Sequence, residues 1–396
     1  MNKIEALIEK LCPEGVEFKE LGDITIIARG KRVTKSQLNE NNNIPVYSGG
    51  MTPMGYFQES NQPANTVTVV KYGTAGFVNF IEEEFWANDV CYCVKPKNLE
   101  QLNNKFLFYS LKNKQELIKS LATQAIPNHL PTSIIESYKI PVPPLEVQNA
   151  IVEILDTFTA LQQELEAELE AELEARKKQY EYYREEQLSF DEDEVEWKTL
   201  GEIGELVRGS GMPKSDFADS GVGCIHYGQI YTHFGTWTDQ TISFIHPHKA
   251  EKLAQVNPGD LIITNTSEDI DGVCKAVAWI GESQIVTGGH ATVFKHHQNP
   301  KYLSYYMQTK FFFREKRKYT FGTKVMDVSA KNLAKIKIPI PPLEKQKHIV
   351  SILDQFDALV NALSTLITAE IKARRQQYEY CRNLLLSFPK LKRLES

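Results

Sequence analysis

The segment KIPVPPLEVQNAIVEILDTFTAL (139–161) returns later in the chain as KIPIPPLEKQKHIVSILDQFDAL (337–359). Proline is excluded from helix interiors, so the P-x-P-P run marks a boundary in each copy. A helical apolar pattern starts directly after each run. Both patterns continue for about 40 residues without glycine or proline, which predicts two helices on the order of 60 Å long.

The repetition extends to both sides of this segment. VEFKELGDI (16–24) returns as VEWKTLGEI (195–203), and ARKKQYEYYREEQLSF (175–190) returns as ARRQQYEYCRNLLLSF (373–388). The shared segments predict a common frame, whereas 25–138 and 204–336 diverge. Such a design suits a protein that reads two different targets with one geometry. Plain duplication with drift is the alternative, but drift would spread the differences evenly.

The apolar residues of the second helix follow spacings of 3, 4, 3, 4 and 3, which is typical of a coiled-coil seam. The residues are Ile349, Ile352, Phe356, Leu359, Leu363 and Leu366. The first helix begins alike and then changes to a spacing of four. Its residues are Ile151, Ile154, Phe158, Leu161, Leu165, Leu169 and Leu173. One apolar stripe cannot stabilise an isolated helix, so we expect the two helices to pack against each other, antiparallel.

The stretches before each helix contain short β-rich runs separated by Gly- and Asn-rich turns, followed by short helical patterns. We therefore predict an α+β fold with two globular domains in a pseudo-twofold arrangement, joined by two long antiparallel coiled-coil helices. The predicted boundaries are 1–142 for the first globular domain, 143–190 for the central helix, 191–340 for the second domain and 341–396 for the distal helix and tail.

The net charge of −6 is unevenly distributed. Residues 146–194 alone carry −12, so the rest of the chain is net +6 and can attract phosphate. The six cysteines form no C-x-x-C pair, which predicts buried, reduced thiols. The chain lacks an uninterrupted apolar run of about 18 residues and a signal-peptide core at its N-terminus, which predicts a cytoplasmic location.

Motifs for catalysis are missing from the sequence. The Pro-Pro pairs do not belong to a D/N-P-P-Y motif of adenine methyltransferases, and neither a G-x-G-x-x-G nor a G-x-x-x-x-G-K-[ST] loop is present. Glu17-x-Lys19 and Glu196-x-Lys198 have the shape of a nuclease E-x-K motif, but alternating charge on a half-exposed strand is the favoured interpretation. We predict no catalytic residue and no metal site.

The two-copy frame resembles type I restriction-modification specificity subunits. The motifs that carry the resemblance are K-I-P-[VI]-P-P-L-E-x-Q, the following I-V-x-I-L-D and the closing R-x-x-Q-Y-E-Y, and they cover essentially the whole chain. ELEAELEAELEA (164–175) resembles the subgroup with tandem tetrapeptides in the central spacer. The same segment is also a solvated acidic helix.

The resemblance implies a function without catalysis by this chain. Each variable region would be a target recognition domain for one half of a gapped site in double-stranded DNA. The frame helices would dock two modification subunits, which methylate adenine N6, and restriction subunits would join them. S-adenosylmethionine, ATP and Mg would belong to those partners, with no cofactor bound here. A coiled-coil scaffold that binds only proteins is the alternative.

Candidate DNA contacts follow from side-chain chemistry alone, because basic and polar residues in loops can hold phosphates or base edges. They are Arg29, Lys31, Arg32, Lys35, Tyr72, Thr74, Arg208, Lys214, Tyr227, Gln229, Asn265, Thr266, Arg317, Lys318, Thr323 and Lys324. Aromatic and basic residues at the ends of the long helices are candidates for partner docking. These are Arg176, Tyr180, Arg374 and Tyr378.

Overall fold

The computed structural model describes residues 2–123 and 126–391. The chain divides into two compact units. The first contains residues up to 169 together with those from 368 onward, and the second contains 170–367. Each unit therefore combines one globular head with parts of both long helices.

Among the residues that the structure describes, the first unit contains five short α-helices, nine strands, the start of one long helix and the end of the other. Its helices are α1 (Asn2–Leu11), α2 (Leu21–Ile24), α3 (Asn104–Asn113), α4 (Gln115–Ser120), α5 (Thr132–Glu136) and the long α6 (Leu145–Gln187), which continues into the second unit. Its strands are β1 (Phe18–Glu20), β2 (Thr25–Arg29), β3 (Ile44–Tyr47), β4 (Tyr56–Phe57), β5 (Thr66–Val70), β6 (Val78–Ile81), β7 (Trp86–Ala87), β8 (Cys91–Pro96) and β9 (Lys139–Pro141).

The second unit repeats this order with more strands. Its strands are β10 (Glu196–Thr199), β11 (Gly204–Arg208), β12 (Phe217–Ala218), β13 (Val222–Ile225), β14 (Trp237–Thr238), β15 (Ser243–Ile245), β16 (Ala254–Val256), β17 (Leu261–Thr264), β18 (Thr266–Ser267), β19 (Ala276–Trp279), β20 (Ile285–Thr287), β21 (Ala291–His296), β22 (Met326–Asp327) and β23 (Lys337–Ile340). Its helices are α7 (Leu200–Ile203), α8 (Tyr227–Thr232), α9 (Pro247–Ala250), α10 (Pro300–Tyr306), α11 (Lys310–Arg317), α12 (Ala330–Leu333) and the long α13 (Leu343–Leu385), which continues into the first unit.

Both heads have the same sheet at their centre. In the first head it is antiparallel with the order β2-β8-β5-β6, and in the second the order β11-β21-β17-β19 is extended by the parallel strand β14. A second sheet differs between the heads, with the order β4-β3-β7 in the first and β12-β15-β13-β20-β16 in the second. The predicted α+β class is confirmed, and the extra strands occupy the longer second variable region.

A two-stranded antiparallel ribbon joins the two ends of each variable region. β1 pairs antiparallel with β9, placing Phe18 opposite Pro141, and β10 pairs with β23, placing Trp197 opposite Pro339. The repeated segments at the two ends of each variable region are thus hydrogen-bonded to each other. The frame consequently holds each variable region at both ends, whatever loops lie between.

A buried glutamine in the first turns of α6 joins that helix to the first head. Gln148 has no exposed surface. Its side-chain oxygen accepts a hydrogen bond from the backbone N–H of Asn103 (2.8 Å), and its Nε2 donates to the carbonyls of Gln101 (2.8 Å) and Pro143 (2.7 Å). Asn103 in turn caps α3. Three hydrogen bonds from one side chain therefore set the start of α6 against the start of α3.

The second unit repeats this connection with Gln346, which is also fully buried. Its side-chain oxygen accepts from the backbone N–H of Asn299 (2.9 Å), the cap of α10, and its Nε2 donates to the side chain of Gln298 and the carbonyl of Pro341, both at 2.8 Å. The glutamine of the P-P-L-E-x-Q motif is therefore a structural link between head and helix.

An aspartate two turns later makes a second link. In the first unit Asp156 accepts hydrogen bonds from Lys105 (2.8 Å) and from the hydroxyl of Tyr109 (2.7 Å), both on α3. Burial and the neighbouring carboxylate raise the pKa of Tyr109, so its hydroxyl stays protonated and donates. The same trio in the second unit consists of Lys301, Tyr305 and Asp354, with distances of 2.7 and 2.8 Å.

The long helices run antiparallel inside the first unit. Thr159 of α6 shares a hydrogen bond with Tyr378 of α13 (3.0 Å), and Arg375 donates to Glu166 through two nitrogens at 2.9 and 2.8 Å. Residue numbers rise along one helix while they fall along the other. The hydrogen bonds from Arg375 and, to a lesser extent, from Gln162 lower the pKa of Glu166 to about 2, so this carboxylate stays ionised at neutral pH.

The second unit shows the same orientation. Tyr183 of α6 stacks on Phe356 of α13, with ring centroids 5.2 Å apart and 13° between the planes. Tyr180, one turn earlier, lies near Asp357, and burial followed by that carboxylate raises the pKa of Tyr180 to about 12.

The predicted coiled-coil seam is wrong in its details. Leu359 and Leu366 are each 67% exposed, whereas Ile349 and Leu353 are buried in the core of the second unit. The first turns of α13 bury the face that meets their own head, and that face combines Ile349 of the predicted seam with Val350 and Leu353, which lie outside it. An apolar stripe therefore remains exposed further along the helix.

Within the described residues, one helix is long and apolar enough to cross a membrane by length and composition, namely α13. A single helix of this kind is weak evidence for a membrane span, since core helices of soluble proteins pass the same test.

The glutamine link generates a stability prediction. In Gln346→Leu the volume is nearly kept, but the N–H of Asn299 and the carbonyl of Pro341 lose their partner. Because each unpaired buried polar group costs about 1–3 kcal/mol, we expect a clearly lower melting temperature for the second unit by calorimetry. Gln355→Leu, at an exposed position of the same helix, is the control. Equal melting of the two variants would contradict a structural role for the link.

Candidate nucleic-acid interface

The basic loop of the first head begins where β2 ends. Arg29 is exposed, and its Nη2 donates to the carbonyl of Asp89 (3.2 Å). Lys31, Arg32 and Lys35 follow and are all exposed. Four of the predicted DNA contacts thus share one loop. A guanidinium has five N–H donors, so Arg29 retains donors for an anionic ligand.

The backbone of this loop is held in place by residues around β7. Lys31 donates its N–H to the carbonyl of Ala87 (2.9 Å) and accepts from the indole nitrogen of Trp86 (2.7 Å). Asn88 exchanges two hydrogen bonds with the backbone of Val33, at 3.2 and 2.9 Å, and Val33 is itself buried. The cations therefore project from a preorganised backbone, which lowers the entropic cost of binding.

Tyr72 and Thr74 lie in a turn that follows β5. Tyr72 stacks on His129 with centroids 5.6 Å apart, and the hydroxyl of Thr74 donates to the carbonyl of Gly49 (2.9 Å). Thr74 is exposed, whereas Tyr72 is half-buried. Both side chains have local partners that shape the turn.

The second head carries a cleft of about 520 Å³ at the matching end of β11. One side is formed by the rings of His226, Tyr227 and His290. The ring centroid of Tyr227 lies 4.5 Å from that of His226 and 5.0 Å from that of His290. Burial, Lys214 and His290 together lower the pKa of His226, which favours the neutral imidazole, and its Nδ1 accepts a hydrogen bond from the N–H of Gly228 (3.1 Å). The cleft is lined by Arg208, Gly209, Ser210, Gly211, Met212, Pro213, His226, Tyr227, Gly289 and His290.

Arg208 and Lys214 are both exposed beside this cleft. Arg208 lies 3.9 Å from Asp327, a long ion pair between two half-exposed side chains, and such pairs contribute little. Thr266 reaches the cleft through His290, since its hydroxyl and the Nδ1 of that ring are 3.0 Å apart. These candidates and Tyr227 are therefore brought together in space.

Two other candidates of the second head are engaged in the structure. Asn265 is fully buried, donates to the carbonyl of Val328 (2.7 Å) and accepts from Thr292 (2.9 Å). Gln229 accepts from the backbone of His226 (2.9 Å) and donates to Ser243 (2.6 Å). Both amides support the walls of the site, which the sequence pattern alone did not distinguish from ligand contact.

The remaining candidates lie at and after the end of α11. Arg317, Lys318, Thr323 and Lys324 are all exposed, and Lys318 pairs with Glu315 (2.5 Å). The cleft residues described above do not include any of them.

The docking candidates occupy equivalent positions on the long helices. Arg176 pairs with Glu172 (2.8 Å) on its own helix and Arg374 with Glu370 (2.7 Å), each with half of the side chain exposed. Both tyrosines face the neighbouring long helix within their own unit. Tyr180 lies near Asp357, and the hydroxyl of Tyr378 shares a hydrogen bond with that of Thr159.

The sequence pattern placed Leu161 and Leu359 in the predicted seam and did not single out Tyr182 and Tyr380, and all four are exposed positions on the frame. Leu161 and Leu359, 57% and 67% exposed, lie 198 residues apart, as do Tyr182 and Tyr380, 65% and 68% exposed. It also missed His226 and His290 in the cleft. The common offset was a usable signal for the first two pairs, whereas the histidines carry none in the sequence.

The E-x-K segments form ion pairs on the ribbons. Lys19 lies 3.2 Å from Glu17, and Lys198 lies 3.0 Å from Glu196. Among the described residues, no group of three or more His, Cys, Asp and Glu side chains is arranged to hold a metal ion.

The contrast between Asn265 and an exposed cation yields a prediction. Asn265→Ala removes the partner of two buried groups and should destabilise the second head by about 1–3 kcal/mol in urea denaturation. Lys324→Ala should stay within about 0.5 kcal/mol of the wild type, because its side chain is exposed. A neutral Asn265→Ala would show that the amide is dispensable for the fold.

Comparisons with known proteins agree with the duplication. A family model described as the type I restriction modification DNA specificity domain matches twice, over 13–175 and 192–373. A Haemophilus influenzae protein named as a putative type I restriction enzyme specificity subunit is 34% identical over 98% of this chain and all of its own length. The Escherichia coli EcoR124I/EcoR124II specificity subunit is 30% identical over 98% of both chains.

Solved structures show the same fold at low identity. A chain from a study of complex assembly and conformational transition in a type I restriction-modification system covers 94% of this chain and 97% of its own, with a TM-score of 0.69 and 16% identity. The HsdS subunit of Thermoanaerobacter tengcongensis covers 96% and 99%, with a TM-score of 0.51 and 16% identity. Taken with the double family match and the near full-length relatives, the chain belongs to the family of type I restriction-modification DNA specificity subunits.

Proposed function

We propose that this chain selects the DNA sites of a type I restriction-modification complex by reading the two halves of a gapped site, one with each head. The observation that carries the proposal is a frame common to both heads, made of the ribbon and the Gln and Asp links, around surfaces that differ. The central sheet and the links give both heads the same attachment to the long helices, while many of the residues that would face a ligand differ between the heads. Double-stranded DNA is a suitable ligand for such a pair of heads, because each head can contact base edges at one half of the site.

Chemistry is assigned to other subunits. The sequence lacks the motifs of an adenine methyltransferase and of a nucleotide-binding loop. We infer that modification subunits carry S-adenosylmethionine and methylate adenine N6, that restriction subunits carry ATP and Mg, and that this chain binds none of these cofactors. A location in the cytoplasm, together with cellular DNA, follows from this role.

Docking of two modification subunits is assigned to the long helices. The four candidates Arg176, Tyr180, Arg374 and Tyr378 form part of the frame. The exposed pairs Leu161 and Leu359, and Tyr182 and Tyr380, support this assignment because they recur at equivalent positions of the frame. A surface that occurs twice suits two copies of one partner. A protein-binding scaffold without DNA specificity, the alternative, does not explain two heads with cation-bearing loops.

The division of labour is tested with purified components. The chain alone should neither methylate nor cut DNA. When it is coexpressed with its modification subunits, methylome sequencing should show methylated adenine in a motif with two specified parts and an unspecified gap of constant length. Cells with the modification subunits but without this chain are the control. Methyl transfer by the lone chain, or a continuous motif, would contradict the proposal.

The tandem ELEA units are proposed to set the length of that gap. α6 is one continuous helix, and deleting 168–171 removes about 6 Å of it at 1.5 Å per residue. A base-pair step is about 3.4 Å, so we expect the gap to shorten by about one base pair, with part of the change absorbed by packing. Leucine every four residues keeps the helical pattern after the deletion.

Methylome sequencing of the deletion strain measures the result. Both half-site sequences should stay as in the wild type. Replacement of the same four residues by four alanines, which keeps the helix length, is the control and should leave the gap unchanged. A deletion strain with the original gap would show that the repeats do not set it.

A further inference from the structure

The two heads share a loop inside the regions that otherwise diverge. RGKRVTKS (29–36) and RGSGMPKS (208–215) agree at the arginine, the glycine, the lysine and the serine. Their offset of 179 residues equals that of the preceding frame segment. The repeat therefore extends beyond the boundaries at 25 and 204 that the sequence comparison assigned. We call 29–35 and 208–214 the RG loops.

The RG loops leave the sheet at the same point. Arg29 ends β2 opposite Tyr92, the second residue of β8, and Arg208 ends β11 opposite Thr292, the second residue of β21. In both heads the next residue donates its N–H to the carbonyl of the first residue of that partner strand, at 3.2 and 2.8 Å. The two arginines thus occupy equivalent positions in the two heads.

Glycine is required directly after each arginine. A Cβ at Gly30 would lie 2.1 Å from the carbonyl oxygen of Ala87, and one at Gly209 would lie 2.0 Å from that of Gly288. Further along, Val33 in one loop and Met212 in the other are buried at 4% exposure and anchor the loop in the head. The lysine then begins a short 3-10 helix in each head, at Lys35 and Lys214.

Around this constant loop, the neighbouring residues differ. Residues Lys31 and Arg32 of the first loop are replaced by Ser210 and Gly211 in the second. Before the partner strand, the first head has Asn88, Asp89 and Val90, and the second has Gly288, Gly289 and His290. The residues that distinguish two different half-sites must include positions that differ between the heads. An identical cation is suited to what both half-sites share, which is the phosphate backbone.

We propose that the RG loops are equivalent phosphate clamps, with Arg29 and Lys35 holding backbone phosphates in the first head and Arg208 and Lys214 in the second. The proposal rests on the proposed DNA-reading function and adds the residues that supply its sequence-independent part. The arginines are exposed, and among the described residues their polar contacts are one carbonyl for Arg29 and a 3.9 Å ion pair for Arg208. Specificity is left to the residues that differ beside each clamp.

The test measures salt dependence with the full chain and a duplex of random sequence. Removing one phosphate-binding cation should reduce the slope of log affinity against log salt by about 0.9. Arg29→Ala with Arg208→Ala should reduce it by about 1.8. The affinity difference from the wild type should then grow about twelvefold when salt falls from about 200 to about 50 mM. Lys178→Ala with Lys372→Ala, both exposed on the long helices, removes the same charge and should leave the slope unchanged.

A charge-preserving pair separates phosphate from base contact. Arg29→Lys with Arg208→Lys should keep the slope and, in the complex with modification subunits, leave both half-sites of the methylome unchanged. A changed base in either half-site would overturn the clamp, because it would make the arginine a base reader. An unchanged slope in the alanine pair beside a normal wild-type slope would overturn the clamp alone. Absence of salt-dependent binding by the wild-type chain would overturn the proposed function as well.

Discussion

The buried amide of Gln148, repeated at Gln346, is the interaction on which the arrangement of each unit depends. In each unit this side chain accepts a hydrogen bond from the backbone N–H of the residue that caps α3 or α10 and donates one to a carbonyl of the proline run, so it orients the long helix against the head. Without these partners the buried amide would lack hydrogen bonds, which is costly, so other orientations of the long helix against the head are unfavourable. The aspartate link two turns later makes the orientation a two-point attachment.

A rigid attachment explains how the heads can diverge without losing their geometry. The ribbon holds both ends of each variable region, and the central sheet keeps its strand order in both units. The differences lie in the loops, in the second sheet, in the lining of the cleft and in strands added to the second head, such as β14 at the edge of the central sheet. In the proposed DNA complex, affinity and specificity are separated in the same way. Constant cations bind the charge that every duplex has, and the variable residues beside them read what differs.

The long helices combine two surfaces with different roles. Their first turns bury one face against the head, through Ile151 and Leu155 in α6 and through Ile349 and Leu353 in α13. Beyond the head, Leu161 and Leu359 stay exposed. Exposed leucines at equivalent positions are costly for a chain that acts alone, since their burial is favourable. They are consistent with a chain that works inside a larger assembly.

The sequence by itself determined the duplication, the two 43-residue helices, their starts after the proline runs and the α+β class of the heads. These features depend on local rules, because proline is excluded from helix interiors and periodic apolar residues specify the element that they can form. The RG loops were also readable from the repeated offset, although the divergence around them concealed the match.

Tertiary structure alone decided which polar residues are available to a ligand and which apolar stripe is buried. Asn265 and Arg208 are both polar residues at the end of a strand, Asn265 directly after β17 and Arg208 as the last residue of β11. Yet the amide is enclosed by Val328 and Thr292, whereas the guanidinium borders an open cleft. Asn103, a partner of Gln148, and Lys105, a partner of Asp156, are 45 and 51 residues distant in the chain. Burial and pairing of this kind arise only when distant segments meet, so no local pattern can specify them.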